Sequence, residues 1–167
     1  IILPLVGSLG IAFLPKGKTK GYKVAALAVS LLTLLLVVVI GTQVDFGQSG
    51  VQLEEVLPWL PQYGVSYHLG VDGLSYPLVF LSALLTVLAV LASWEVNYRS
   101  KAYFSLLMLL EAGLIGVFLA LDYILFYIFW EVVLVPMYFL IGIWGGPRKE
   151  YAALKFFIYT LFGSVIM

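Results

Sequence analysis

Cysteine is absent from these 167 residues and histidine occurs once. Without cysteine no disulfide, thiolate metal site or covalent haem attachment can form. A single histidine, with no histidine–carboxylate cluster, argues against a metal held by the chain itself. Charge is scarce as well: 11% of residues are charged and the formal net charge is +0, which removes the electrostatic basis for binding nucleic acid. No GxGxxG loop, flavin motif or iron–sulfur motif is present. Redox chemistry on this chain is therefore not expected, and neither is a cofactor or a metal.

What the chain has in excess is apolar length. It is 63% hydrophobic, with a mean hydropathy of +1.09, far above the usual composition of water-soluble domains. We read an all-α integral membrane protein. A membrane helix needs about 20 apolar residues to cross a hydrocarbon core of about 30 Å. Six stretches qualify as spans: residues 1–14, 24–42, 74–94, 102–121, 123–143 and 151–167. The first and last are expected to be cut short, so the sequence reads as a piece of a longer chain. It divides into residues 1–42 (two spans), 43–73 (a long loop) and 74–167 (four spans).

The nine basic residues orient the spans. Lys16, Lys18, Lys20 and Lys23 follow the first span, Arg99 and Lys101 the third, Arg148 and Lys149 the fifth. Lys155 lies just inside the sixth, on the same side. The second and fourth loops hold no Lys or Arg. Positive charge is retained on the cytoplasmic side, so the loops after spans one, three and five are expected there. In the second loop, "YGVSYHLGVDGLS" alternates Val65, Tyr67, Leu69 and Val71 with Ser66, His68 and Gly70, the period of a strand. A short outer hairpin lying on the bundle is expected, with Trp59 of "LPWLP" as an interfacial anchor. His68 and Asp72 are candidates for an external proton or ion site, against the plainer reading that they only hold the hairpin. This loop is also the natural contact for a neighbouring subunit.

Two acids lie inside spans, Glu111 in "LLMLLEAGLIGVF" and Glu131 in "YIFWEVVLVP". An ionised acid in mid-bilayer costs about 2.5–3.5 kcal/mol on insertion scales, so each is a candidate functional group. Glu111 precedes the tight turn at Asp122 and Glu131 follows it. At 1.5 Å per residue both lie roughly 13–17 Å below the outer surface, at one depth on adjacent antiparallel helices. They can exchange a proton if both faces point inward. Glu131 shares a helical stripe with Tyr127 and Tyr138, and Pro136 cannot donate to the carbonyl of Val132 beside it. Glu111 has Leu107 and Ile115 at i±4, which predicts strong desolvation. The plainer reading makes both acids buried hydrogen-bond partners in a structural scaffold. For Lys155 the plainer reading is snorkelling to the interface.

At "FYIFWEVVLVPMYFLIGIWGGPRKEYAALKFFIYTLFGSVIM" the chain closely resembles the M-type, antiporter-like membrane subunits of bacterial NADH–quinone oxidoreductase, respiratory complex I. "VDGLS" at 71–75, "GVFLALD" at 116–122 and the acid of "FWE" extend the resemblance over most of the chain from the second loop onward. The resemblance implies a fold of about fourteen helices with two inverted repeats. It implies proton translocation through an intramembrane Glu/Lys axis in a bacterial inner membrane. The acid matching Glu131 pairs with a lysine on the seventh helix, beyond the six spans read here, and Lys155 matches the lysine of a "KFFIYT" segment. Glu111 falls where some members carry an acid and others do not. Flavin, iron–sulfur clusters and quinone belong to other subunits, and the implied partners are other membrane subunits, including neighbouring antiporter-like ones, with lipid and protons. The chain would thus be enzymatic only as a subunit of a translocase. The alternative is a subunit of a multisubunit cation/proton antiporter or a membrane-bound hydrogenase.

Overall fold

A proline disfavours helical backbone in the residue before it, and Leu14, preceding Pro15, is extended at φ −59° and ψ 144°. Helix α1 (Ile2–Phe13) ends there. The computed structural model describes residues 1–167 except Lys16, Lys18 and Ser49 and the side chain of Pro61. Two of the basic residues that orient the expected topology, Lys16 and Lys18, thus lie outside the described residues. Five helices follow: α2 (Thr19–Gly41), α3 (Ser75–Ala92), α4 (Ser100–Leu119), α5 (Tyr123–Trp144) and α6 (Lys149–Ile166). Between α2 and α3 stand strands β1 (Gln52–Leu60) and β2 (Val65–Val71).

All six expected helices form. Helices α2 to α5 are long and apolar enough to cross a membrane. Helix α1 has only 12 residues, and α6 carries Lys149, Glu150 and Lys155. Helix α2 begins earlier than its apolar run and draws Lys23 into the bundle, where the side chain is 7% exposed. Its ammonium donates to the Trp94 carbonyl and to Asn97 Oδ1, just beyond the C-terminus of α3. Carbonyls exposed past a helix end favour a cation there.

Helix α4 is the hub, packed against α1, α2, α3 and α5, and α6 packs on α5. Two apolar clusters fill the α1–α4 bundle. Toward the end rich in basic residues, Ile11, Tyr22, Ala26, Val90, Phe104, Leu107 and Met108 pack together. Toward the hairpin, Val37, Val79, Ala83 and Ile115 do so. The contact of α4 with α5 is closer than ordinary side chains allow. A Cβ on Gly116 would lie 2.3 Å from the Phe129 ring, and one on Gly113 would lie 2.8 Å from Val133 Cγ2. Small residues at such positions let membrane helices approach and gain dispersion energy.

The hairpin pairs β1 and β2 antiparallel, with Val56 opposite His68 and Pro58 opposite Ser66. Gly64 closes it at φ +68°, a backbone that glycine adopts without Cβ strain. The expected hairpin on the bundle is found, and β1 extends to Leu60 of "LPWLP", leaving Trp59 exposed on the strand. Strand β2 rests on the α4–α5 turn, where the Leu121 amide donates to the His68 carbonyl at 2.9 Å. Gly70 permits the approach: a Cβ there would meet Val51 and Leu121 at 2.5 and 2.7 Å.

The α4–α5 seam yields a direct test. In the full-length subunit in detergent, Gly116→Ala is expected to lower stability by about 1–3 kcal/mol through overpacking. Gly142→Ala, where the new methyl meets only Ala153 Cβ at 3.5 Å, an ordinary contact, leaves the unfolding midpoint unchanged or raises it. Equal midpoints for the two variants would dismiss the seam as a determinant of packing.

Candidate functional site

The seam fixes the rotation of both helices, and with it the direction of each acid. On α4, Gly113 and Gly116 face α5; Glu111 is displaced from them by about 200° and 140° around the helix. Its i±4 neighbours Leu107 and Ile115 belong to the two apolar clusters, so Glu111 points into the α1–α4 bundle between them. On α5, Phe129 and Val133 take the seam, and Glu131 lies about 160–200° from both. It faces α6, where the Ser164 hydroxyl donates to Glu131 Oε1 at 2.6 Å. The structure does not bring the two acids together: they point to opposite sides of the α4–α5 contact, and the pairing of Gly113 with Val133 and of Gly116 with Phe129 sets them about one helical turn apart along it.

Their surroundings differ accordingly. Glu111 is fully buried, and neither carboxyl oxygen has a hydrogen-bond partner among the described residues. Leaving one buried polar group unpartnered costs about 1–3 kcal/mol. The nearest turns of α2 and α3 between the clusters carry Ser30, Thr33 and Thr86. Each of these hydroxyls donates to a carbonyl of its own helix, at 3.1, 3.0 and 2.9 Å. In this arrangement their protons go to the backbone, and none of the three bonds the acid.

Glu131 has the richer setting. Tyr127 and Tyr138 share its stripe as expected. The Tyr138 ring meets Phe157 of α6 edge to face at 5.5 Å between centroids. Pro136 is buried inside α5, and the helix continues through it to Trp144. A cavity of about 310 Å³ bounded by Tyr123, Tyr127, Ser164 and Val165 opens beside the pair on the hairpin side. The Ser164 hydroxyl also lies 3.0 Å from the Leu161 carbonyl. A hydroxyl has one proton and two lone pairs, so it donates to one of these oxygens at a time. Ser164 was missed in the sequence, where a hydroxyl one helix away from Glu131 at a matching depth was the available clue.

Lys155 does not join Glu131. It is exposed, with its ammonium 5.7 and 5.6 Å from the ring centroids of Tyr151 and Tyr159. Nine residues separate it from Ser164, about 13 Å along α6 and half a turn around it. His68 and Asp72 are likewise apart in role. His68 Nε2 meets Glu54 Oε2 at 3.0 Å across the hairpin. Asp72 Oδ1 accepts from the amides of Leu74 and Ser75 at the start of α3, which holds its carboxyl below the usual range, the Ser75 N–H first among the causes.

Asp122 does more than its place in the turn suggests. Its Oδ1 caps α5 by accepting from Ile124 and Leu125 at 2.9 and 3.2 Å, and its Oδ2 accepts from the Ser66 amide of β2 at 3.0 Å. The Ser66 N–H, followed by those of Leu125 and Ile124, and nearby His68 hold this carboxyl below the ordinary carboxylate range. A depressed folded pKa contributes stability that is complete above the unfolded pKa and is lost as pH falls through the folded value. Protection of the Ser66 amide, corrected for intrinsic exchange, should therefore be flat from pH 8 to 5 and fall only below about pH 4. Asp122→Ala is expected to remove it at neutral pH, as measured by hydrogen exchange. A fall already between pH 7 and 5 would assign the attachment to another group.

Comparison with known proteins identifies the family of the chain. Residues 1–120 match the family model described as NADH-ubiquinone oxidoreductase chain 4, amino terminus. Residues 120–167 match the one described as NADH:quinone oxidoreductase/Mrp antiporter, TM. The NAD(P)H-quinone oxidoreductase chain 4 1 of Synechococcus sp. (strain JA-3-3Ab) is 44% identical over 168 residues, covering 100% of this chain and 32% of its own length. That of Acaryochloris marina, chain 4, is 41% identical over 170 residues, with coverage of 100% and 32%. The chain spans about a third of the length of the curated relatives it matches. A chain of respiratory complex I from Thermus thermophilus with bound NADH superposes with a TM-score of 0.80 at 28% identity, over 98% of this chain and 32% of that one. A chain of the Mrp complex from Dietzia sp. DQ12-45-1b gives 0.77 at 22% identity, over 98% and 18%, a likeness of fold alone.

Proposed function

Because this chain belongs to the NADH–ubiquinone oxidoreductase chain 4 family, we propose that it forms part of a proton-translocating membrane subunit of an NADH–quinone oxidoreductase. Electron transfer takes place on other subunits, which carry flavin, iron–sulfur clusters and quinone. This chain supplies ionisable groups inside a bacterial membrane, with the loops after α1, α3 and α5 on the cytoplasmic side. Its partners are the neighbouring membrane subunits.

The observation that carries this reading is the Glu131–Ser164 contact. When Glu131 is ionised, the Ser164 proton points to Oε1. When Glu131 is protonated, its own O–H donates to Ser164 Oγ, and the Ser164 proton turns to the Leu161 carbonyl, 3.0 Å away. Both charge states are hydrogen-bonded without moving a heavy atom. Such a group can take up and release a proton at little cost in reorganisation. Tyr127 lines the approach from the hairpin side, and Tyr138 lines the other. The freed Val132 carbonyl at Pro136 offers an acceptor for a water next to the acid.

The cationic partner that would switch Glu131 comes, in this reading, from a part of the full-length subunit beyond these six helices. Lys155 serves chiefly at the interface, its charge resting on two tyrosine rings, and passes protons only at the basic end of the path. Glu111, on the far side of the seam, is a second protonatable group that exchanges through the α1–α4 bundle and not directly with Glu131.

The test is Glu131→Gln in the full-length subunit within its parent complex, followed by NADH–quinone turnover and proton uptake in inverted membrane vesicles. Both are expected to fall by at least about tenfold with the complex assembled. Ser164→Ala should slow proton uptake and alter its pH profile, and Ser164→Thr should restore both. Wild-type rates in Glu131→Gln would make the acid structural and overturn the proposal.

A further inference from the structure

Helix α4 starts without a cap. Arg99, at its N-terminal boundary, has left-handed backbone angles of φ 48° and ψ 36° and makes no side-chain bond to the helix. Strain of this kind in a non-glycine residue persists where the surroundings hold it. The Tyr103 amide is the first to reach back, to the Arg99 carbonyl. The amides of Ser100, Lys101 and Ala102 have no acceptor among the described residues. A helix start of this kind carries a partial positive charge and N–H groups that favour an anion.

A second observation lies at the same place. Ser100 is 4% exposed, yet its hydroxyl meets no partner among the described residues and lines a cavity of about 690 Å³ between α1, α4 and α5. The polar end of that cavity also holds Thr19, Asn97, Arg99 and Lys101, and no carboxylate lines it. Lys101 donates one of its three N–H bonds to the Leu14 carbonyl. Asn97 accepts from Lys23 through Oδ1, which leaves its amide hydrogens as donors. Deeper along the helices the wall becomes apolar, formed by Leu106, Phe139 and Ile143. Phe139 is 44% exposed on the outer flank of α5. The Trp144 indole donates to the Tyr98 carbonyl at 2.9 Å and ties the end of α5 to the loop that carries Arg99.

We propose that this cavity is a binding site for an anionic phospholipid, with the headgroup phosphate at the start of α4 between Arg99, Ser100 and Lys101 and an acyl chain along Leu106, Phe139 and Ile143. Charge complementarity selects the headgroup: basic residues near an anionic leaflet attract it, and this end of the bundle holds the basic residues. The volume lies within the range of about 300–1,000 Å³ typical of small-molecule sites. A free phosphate would fill only the polar end and leave the apolar wall uncovered, so the lipid is the better match.

The test uses the full-length subunit in its parent complex, reconstituted in vesicles that contain phosphatidylglycerol with a photoactivatable acyl chain. Cross-linked peptides are read by mass spectrometry. Labelling is expected on α5 around residues 139–143. It should drop about fivefold for each basic residue removed in Arg99→Gln and Lys101→Gln. Ser100→Ala, which leaves the Lys101–Leu14 bond in place, is a milder variant with a smaller drop in the same direction. A phosphatidylcholine probe of the same chain should label weakly, and inorganic phosphate should not displace the lipid. Equal labelling by both lipids would overturn headgroup recognition. Full displacement by inorganic phosphate would make this a free-anion site, and no labelling of α5 would mean that protein covers the cavity.

Discussion

Two glycines on one face of α4 determine where the two acids of α4 and α5, Glu111 and Glu131, point. With no side chain at Gly113 and Gly116, α5 seats Phe129 and Val133 against the α4 backbone. That close contact leaves neither helix free to rotate. Glu111 is turned into the α1–α4 bundle as a consequence, and Glu131 toward α6. Packing with no polar component thus sets the separation of two carboxylates on adjacent helices.

The separation gives the two acids unlike chemistry. Glu131 has a neighbour, Ser164, whose single proton can serve it or the Leu161 carbonyl. Glu111 has apolar neighbours and hydroxyls already committed to their own helices. One acid is equipped for a change of charge within the present structure. The other needs water, a cation or a movement of the bundle before its charge can change. Membership of the chain 4 family gives both a context, and the local geometry ranks them.

Much of this was legible in the sequence because the membrane imposes simple rules. Apolar runs mark the helices, and depth accumulates by a fixed rise per residue, so counting places each acid well inside its helix. Alternation marked β2, whereas β1 escaped notice. Its "LEEVLPWL" shows no clean period, and Pro58 fits only because a two-stranded ribbon has edges that need no donor. Rotation was not legible from depth, since it depends on which neighbour sits where. The pair Gly113 and Gly116, spaced for a tight helix contact, was the available clue. The burial of Lys23 could not be read locally, for its partners Trp94 and Asn97 lie some seventy positions away.

The turn between α4 and α5 has a consequence for how the chain is made. Only Ala120, Leu121 and Asp122 separate the two helices, a link of about 10 Å at full stretch. Helix α5 cannot wait in water while α4 crosses the bilayer, so the two enter as one helical hairpin during synthesis. Each carries an acid that is costly to insert alone. Their apolar residues share that cost in a single event, and the Gly113–Gly116 contact can form before α6 has left the ribosome. Biosynthesis, then, favours the same pairing of α4 with α5 that the finished structure is built around.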